Sequence, residues 1–264
     1  MKQVLLAGLA GIIIVLGFWQ IAVPVSLITD LIEKTLEAEG LHADFTGFRK
    51  GLFFNFEAEQ ITLKKSGASL LSVENARARV DPMSLLSLRV SVLFDGDISG
   101  GRMNARVDLL HDNRTDITIN KASMEGIPYF RALGLSGSRG TLSGDMKMEK
   151  SSGEIRFAVT NAVFEQASFG GIMLPLEMFN KARGAMTINN NTFEIKSFVL
   201  EGDGIYARIK GKITEGRASL TAELMPEQSF REKNYVFSML EQYKVSPGYY
   251  SIPINSNFAV NSER

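Results

Sequence analysis

Residues that could do chemistry are few in this sequence, and they stand far apart. The only histidines are His42 and His111, and there is no cysteine. Neither histidine has a carboxylate or hydroxyl at the spacing of a catalytic pair, and both stand where a solvated side chain is the simpler interpretation. The segment Gly134-Leu-Ser-Gly137 lacks the glycine offsets of a nucleophile elbow. We therefore expect no catalytic residues and no enzyme activity.

Two glycine-containing segments have compositions that could hold an ion or a phosphate. Asp95-Gly-Asp97 leaves a calcium site open, although a turn or bulge explains all three residues. Glu201-Gly-Asp-Gly204 resembles a phosphate-binding loop in composition, but it contains no Lys or Arg and lacks a strand-loop-helix context. A hairpin turn is the better interpretation there. The sequence therefore predicts no cofactor and no metal site.

An uncharged run extends from Gln3 to Thr29. Its apolar part, Val4 to Val23, would span roughly 30 Å as a helix, which matches the hydrocarbon thickness of a bilayer. The length of this part favours a retained transmembrane helix over residues 4–25, although a cleaved signal peptide remains an alternative. The residues expected to form the membrane anchor are Val4, Leu5, Leu6, Ile12, Ile13, Ile14, Val15, Leu16, Phe18, Trp19 and Ile21.

Charges on the two sides of this span predict its orientation. Lys2 is the only charged side chain before it, whereas Asp30 and Glu33 are the first charges after it. We expect a short cytoplasmic tail of residues 1–3 and a main domain outside the cytoplasm.

The overall charge argues against two classes of partner. The 29 basic and 29 acidic residues cancel, so the chain lacks the basic footprint expected for nucleic acid or for an anionic-lipid segment. Without cysteine there can be no disulfides, and burial must stabilise the fold. No linker divides residues 41–264, which we treat as one domain.

Apolar residues at every second position dominate the chain from Ala43 to Pro226. In the stretch Gly101–Leu109, for example, apolar residues alternate with Arg102, Asn104 and Arg106. Half-buried strands of this kind pair antiparallel. The expected fold is mainly β, an extended, curved and largely antiparallel sheet with a few short helices.

Apolar residues at helical spacing follow the predicted anchor. They predict a short amphipathic juxtamembrane helix over residues 26–40, with Ser26 as its N-cap and Gly40 at its end. This helix could cover the first strands, or it could lie at the membrane interface or bind a partner.

The C-terminal part has a second helical pattern. A capping box at Ser229–Glu232 and apolar residues up to Tyr243 predict a helix of about four turns. Residues 249–258 then predict a final strand, in which Pro253 removes a backbone donor and so indicates an edge or a bulge.

A sheet with one apolar face must cover that face with something. The predicted helices are too few for a dozen strands, which would extend on the order of 55 Å. The face is therefore either an ordinary core or a groove in which flexible methionines adapt to lipid acyl chains. The candidate residues for this face are Phe45, Phe54, Phe56, Met103, Met146, Met148, Phe157 and Ile209.

The order of these features resembles a known group of proteins. The anchor, the juxtamembrane helix ending at Gly40, the strand segment Gly51-Leu-Phe-Phe-Asn-Phe56 and the segment Val80–Leu88 resemble the AsmA-like proteins. Within that group the chain is similar to the family of type II secretion system protein N. This similarity rests on the short single-domain length, the strand-turn segments Ser99-Gly-Gly-Arg-Met103 and Gly202-Asp-Gly-Ile205, and the closing helix with Pro247-Gly-Tyr-Tyr-Ser-Ile-Pro253.

This resemblance implies a location and a role. It implies a Gram-negative inner-membrane protein, single-pass with its N-terminus in the cytoplasm, whose residues 41–264 form a periplasmic AsmA-like β-groove. The implied function is a non-enzymatic accessory component of the type II secretion machinery, acting with other components of that machinery in the export of folded proteins. The alternative is an AsmA-like lipid-binding or lipid-transfer module of the envelope that holds phospholipid acyl chains.

Overall fold

Extended strands make up most of the chain. The computed structural model describes residues 24–257 except positions 39, 53, 82, 85–86, 109–113, 133–134, 136, 166, 170–171, 175 and 216. The helices are α1 (Val25–Glu37), α2 (Pro128–Ala132), α3 (Gln228–Lys233) and α4 (Val236–Met239). Short 3₁₀ turns lie at Met124–Gly126, Leu176–Met178 and Glu241–Tyr243. The strands are β1 (Leu41–Thr46), β2 (Arg49–Lys50), β3 (Asn55–Lys65), β4 (Ala68–Val80), β5 (Ser91–Ile98), β6 (Gly101–Asp108), β7 (Arg114–Ser123), β8 (Arg139–Glu149), β9 (Ser152–Val163), β10 (Ala167–Phe169), β11 (Ile172–Leu174), β12 (Lys181–Asn189), β13 (Thr192–Gly202), β14 (Ile205–Thr214), β15 (Arg217–Pro226), β16 (Lys244–Ser246) and β17 (Tyr249–Asn257).

One antiparallel sheet holds 15 of these strands. Its order from edge to edge is β1-β3-β4-β5-β6-β7-β8-β9-β12-β13-β14-β15-β17-β16, with β2 also paired to β3. The strands β10 and β11 form a separate hairpin. Nearly every strand therefore pairs with the next one along the chain. The predicted mainly β fold, with one large antiparallel sheet and few short helices, is confirmed.

The two ends of the strands carry different connections. At one end, here called the turn end, lie the connections at 51–54, 81–90, 150–151, 190–191 and 215–216. At the opposite end, here called the helix end, the chain makes three longer excursions that contain the short helices, between β7 and β8, between β9 and β12, and between β15 and β16. Strand β1 also begins at the helix end, directly after α1.

Helix α1 forms close to where the sequence predicts it, but its cap differs. It begins at Val25 with Pro24 in the N-cap position, and Ser26 lies inside the first turn. There the carbonyl of Ser26 accepts a hydrogen bond from the hydroxyl of Thr29 at 3.0 Å. The expectation that Ser26 caps the helix is therefore wrong, because proline already supplies the extended backbone that precedes the helix. Gly40 lies past the end with φ of 70°.

The predicted C-terminal helix of four turns is wrong as well. The chain forms α3, then α4, then a 3₁₀ turn, and the break lies at Asn234, whose φ and ψ are −117° and 106°. The side-chain amide of Asn234 donates to the carbonyl of Phe230 at 2.8 Å, which terminates α3. As a result Tyr235 and Met239, which the sequence predicts on the apolar face of the helix, are 79% and 68% exposed, whereas Phe237 is buried.

The final strand follows the prediction. Strand β17 pairs with β15 along its length, but β16 covers only its first two residues, Tyr249 and Tyr250. Among the described residues no strand pairs with the outer edge of β17 at Pro253, so the missing N–H breaks no ladder there.

The predicted anchor falls almost entirely outside the described residues, since residues 1–23 are not among them. In the part of the chain that is described, no helix combines the length and apolar character needed to cross a bilayer.

Bulges within the strands keep apolar residues on one face. Ile119 and Ala122 are three positions apart, yet both join the same cluster, because the register of β7 against β8 shifts between them and Lys121 has a φ of 54°. The same occurs in β4, where Asn75 has a φ of 49° between buried Val73 and Ala76. A strict period of two cannot describe such strands, because each bulge adds one residue and bends the strand.

Candidate apolar binding face

Cross-strand pairing aligns apolar and glycine residues in rows that cross the sheet. Directly paired residues of an antiparallel ladder project to the same face. The central row runs from β5 to β17 through Gly96, Met103, Ile119, Gly144, Phe157, Gly184, Phe198, Ile209, Ala222 and Ile252.

Two further rows run parallel to the central row, each nearer to the turn end than the one before. The second row consists of Phe56, Ala78, Phe94, Ala105, Ile117, Met146, Ile155, Met186, Ile195, Gly211, Leu220 and Ile254. The third row contains Val80, Val92, Val107, Thr115, Met148, Gly153, Ile188, Phe193, Ile213 and Ala218. These three rows together are called the apolar face.

The residues proposed from the sequence as one apolar surface fall mostly on these rows. Met103, Phe157 and Ile209 lie in the central row, Phe56 and Met146 lie in the second row, and Met148 lies in the third. The pairing registers therefore bring six of the eight candidates to one side of the sheet.

The other two candidates lie at the β1 edge. Phe45 pairs with Ile61 of β3, and its ring meets Phe48 at a centroid distance of 5.4 Å. Phe48 in turn stacks on Phe56 at 5.9 Å, which connects this group to the second row. Phe54 lies outside the strands, in the turn before β3 with a φ of 59°, and the pairing does not place it in a row.

The apolar face is only partly covered. Along its middle, side chains such as Met103, Ile117, Met146 and Ile155 are half-buried, and Phe193 in the third row is 41% exposed. Toward β17 the coverage is better, since Leu220 and Ile254 are buried. An apolar face left half-exposed across neighbouring strands is a surface on which apolar matter can bind.

The helix end of the face is closed by a cluster that the sequence did not indicate. Phe164, Phe179 and Phe237 come from the connections between strands and pack with Met124 and Tyr250 in the largest buried cluster of the described chain. Their buried state could not be read from periodicity, because they lie in irregular segments. The available signal was the presence of large aromatic residues in the long connections between strands.

The opposite face of the sheet is polar. Cross-strand neighbours carry opposite charges there, such as Lys210 on β14 and Glu223 on β15, which lie 2.5 Å apart. The ammonium group of Lys210 donates a hydrogen bond to the carboxylate of Glu223. This hydrogen bond is the main reason why the pKa of Glu223 is lowered, and it outweighs the opposing effect of burial. This face has a shallow concavity of about 350 Å³, which is lined by Thr118, Ser143, Asp145 and Arg156 among others.

The residues that the sequence analysis considered for chemistry remain dispersed. His42 is exposed on β1, with its Nδ1 3.8 Å from Glu37, and His111 lies outside the described residues. Asp95 and Asp97 lie within β5 rather than in a turn, and Glu201–Gly204 forms the predicted hairpin turn between β13 and β14. Among the residues that the structure describes, no three His, Asp or Glu side chains are grouped closely enough to hold a metal.

Glycines allow the rows to pack tightly. A Cβ at Gly184 would lie 2.4 Å from the ring of Phe157, and one at Gly153 would lie 2.2 Å from the sulfur of Met148. The large side chains of one strand therefore lie over glycines of its neighbour. This arrangement provides a broad apolar surface with adaptable methionines. Comparison of the chain with protein-family models, with curated proteins and with solved structures found no match.

Proposed function

We propose that this chain is a non-enzymatic accessory component of the type II secretion machinery, which acts from the inner membrane into the periplasm by binding rather than by catalysis. The single observation that supports a binding role is the apolar face, whose three rows remain half-exposed through the middle of the sheet. A soluble protein gains stability by burying such a surface, so its exposure suits a molecule that binds something apolar.

Its assignment to secretion rests on the residue pattern. The resemblance to the family of type II secretion system protein N rests on the anchor, a single β-rich domain of short length and a closing helix before Pro247. The described helix α1 and the single large antiparallel sheet are compatible with that pattern, whereas the closing helix is broken at Asn234. The anchor over residues 4–25, the inner-membrane location and the periplasmic position of the domain belong to the same proposal.

The proposed fold is a curved AsmA-like groove with the apolar face on its inner side. Register shifts in the pairs β4–β5, β7–β8, β12–β13 and β13–β14 support curvature, since each bulge bends its strand.

A deletion strain tests the secretion role. Loss of the gene should reduce export of folded exoproteins across the outer membrane, and restoration of the full chain should recover it. Normal export in the deletion strain, together with an altered lipid composition of the outer membrane, would reject the proposal in favour of the second candidate.

The second candidate function is a lipid-binding or lipid-transfer module. It is favoured by the side chains in the middle of the apolar face, where Met103 lies on β6, Met146 and Met148 lie on β8, and Met186 lies on β12, each separated from the next by one intervening strand. Methionine side chains are flexible and can follow the irregular surface of an acyl chain. A phospholipid would then lie across the strands, along the rows.

Mass spectrometry of the protein purified without detergent tests this candidate, and it should detect bound phospholipid. The informative variant is Phe193→Asp, because Phe193 is already 41% exposed and the change costs little folding free energy. We expect less bound lipid from Phe193→Asp than from the control Thr160→Asp, which places the same charge on the polar face of β9. Equal lipid in both variants would exclude the apolar face as the binding surface.

A further inference from the structure

Three apolar side chains are exposed at the turn end of the first strands. Leu52 is 57% exposed, Met83 is 71% exposed and Leu88 is 82% exposed. Leu52 belongs to the connection before β3, and the other two belong to the connection between β4 and β5. The two connections are adjacent, because the N–H of Val80 donates to the carbonyl of Phe54 at 3.4 Å. These three residues are called the apolar tip.

Polar contacts hold the connection between β4 and β5 in a defined shape. The buried hydroxyl of Ser84 donates to the carbonyl of Asp81 at 2.7 Å and accepts from the N–H of Ser91 at 3.2 Å. The carboxylate of Asp81 accepts from the N–H of Met83 at 3.0 Å and lies 3.7 Å from the guanidinium of Arg106. These polar contacts involve neither the side chain of Met83 nor that of Leu88.

The backbone at Leu88 gives a second indication that folding does not account for this residue. Leu88 has a φ of 55°, in the left-handed region, where a residue with a Cβ is strained and glycine or asparagine is favoured. Neither burial nor backbone preference stabilises a leucine at this position. Strained residues of this kind are concentrated at functional sites.

Basic side chains flank the apolar tip. Arg79 near the end of β4 and Arg89 next to Leu88 are both exposed. Asp81 is the acidic residue between them, and it is already close to Arg106. The surface around the tip thus combines exposed apolar side chains with exposed guanidinium groups, a combination typical of proteins that enter the interface of an anionic membrane.

We propose that the apolar tip is a site of contact with a lipid surface that carries anionic headgroups. The balanced charge of the whole chain argues against a polybasic lipid-binding segment, so this contact relies on the two local guanidinium groups together with the apolar side chains. Leu52, Met83 and Leu88 enter the boundary between headgroups and acyl chains, and Arg79 and Arg89 bind headgroup phosphates. A membrane fits better than a protein partner because a stable protein interface needs about 1,000 Å² or more, far beyond the area of three side chains. This site is separate from the apolar face and does not depend on secretion.

The chain contains no cysteine, so a single introduced thiol can be labelled selectively. The experiment uses the full chain with Met83→Cys, labelled with an environment-sensitive fluorophore and reconstituted in vesicles of phosphatidylethanolamine and phosphatidylglycerol. Quencher lipids are placed either in these vesicles or in a second, protein-free population. We expect a blue shift of the emission and quenching from one of the two populations. The absence of quenching from both would overturn the proposal.

Matched variants separate this contact from general proximity to the vesicle. Ser151→Cys, in the turn between β8 and β9 at the same end of the sheet, should remain unquenched. Adding Leu88→Asp to the labelled Met83→Cys protein should remove most of the quenching, while circular dichroism shows unchanged strand content.

Two further variants test whether the contact requires the basic side chains. Arg79→Gln and Arg89→Gln should each raise about fivefold the anionic-lipid concentration at half-maximal quenching. Quenching that is equally strong with phosphatidylcholine alone would contradict the anionic specificity. A blue shift produced only by added envelope proteins, and by neither vesicle population, would identify a protein partner and reject the lipid contact.

Discussion

The ring of Phe157 on β9 covers Gly184 on the neighbouring strand β12. A Cβ at position 184 would lie 2.4 Å from Cε1 of the ring and 2.6 Å from Cζ, distances at which one of the two groups must move. The ring also meets Phe198 of β13, on the other side of β12, at a centroid distance of 5.8 Å. Phe157 is therefore held in the middle of the apolar face by a glycine and an aromatic residue.

Gly184→Ala should destabilise the protein. The added methyl group displaces a ring that cannot move freely toward Phe198, and overpacking of this kind typically costs about 1–3 kcal/mol. Urea unfolding should show a lower midpoint with an unchanged slope.

A second substitution shows whether Phe157 causes the effect. In the double variant Phe157→Leu with Gly184→Ala, the clash is absent, so the cost of the alanine should largely disappear. If the two single effects simply add, the contact between the ring and Gly184 does not determine stability.

Tyr250→Phe should leave stability unchanged or raise it. Tyr250 is fully buried, and its hydroxyl has no hydrogen-bond partner among the described residues. Removing an unsatisfied buried hydroxyl avoids a desolvation cost of about 1–3 kcal/mol without leaving another group unpaired. Thermal unfolding of the two proteins makes the comparison. A clear loss of stability would mean that the hydroxyl has a partner, and the packing of this cluster would need revision.

Glu223 should make the stability of the fold depend on pH in the acid range. Its pKa is lowered chiefly by the hydrogen bond from Lys210, so the folded state binds this proton less readily than the unfolded chain. The stabilisation is therefore complete above the ordinary glutamate pKa of about 4.3 and is lost as the pH falls through the lower, folded pKa. Its size is at most about 1 kcal/mol, because the side chain of Lys210 is 46% exposed and solvent screens the pair.

The measurement compares Glu223→Gln with the original chain between pH 7 and pH 3. The variant should be less stable at neutral pH, and its stability should decline less steeply below about pH 5. Glu215→Gln removes a carboxyl from an exposed turn and serves as the control. Parallel declines in all three proteins would contradict the role given to the pair of Glu223 and Lys210.

Pro253→Thr should promote self-association. Beyond Tyr250 the outer edge of β17 is open in the described chain, and proline removes one of the donors that another strand could pair with. Restoring this N–H makes the edge a better template. Sedimentation should show concentration-dependent dimers or larger species for Pro253→Thr. Ser219→Thr, on the polar face of the interior strand β15, is the control and should leave the association state unchanged.

Much of the fold could be predicted from local patterns. The stretch Gly101–Leu109 alternates strictly, and its residues up to Asp108 form β6. Pro253 indicates an open edge, which β17 has among the described residues. Strands of a meander pair with their sequence neighbours, so alternation and turn residues together define most of the ladder. For the same reason, most of the candidates for the apolar surface, such as Met103 and Phe157, lie on one side of the sheet.

Other elements could not be predicted because they depend on distant parts of the chain. The capping box at Ser229 favours a longer helix, yet the chain breaks at Asn234, and Phe237 is buried against Tyr250 of β17 at a ring distance of 5.5 Å. Local propensity supports a continued helix by a few tenths of a kcal/mol per residue, whereas burial of a phenylalanine contributes about 1.5–3 kcal/mol. Burial therefore decides the break.

The sequence by itself determined the strands, their antiparallel pairing and the side of each strand that is apolar, because these depend on the two-residue period and on turns between neighbours. Only the tertiary structure decided where bulges at Asn75 and Lys121 shift that period, and which rows are covered. Coverage depends on aromatic residues such as Phe164 and Phe179 in irregular connections, whose positions are fixed by packing across the sheet and by no local repeat.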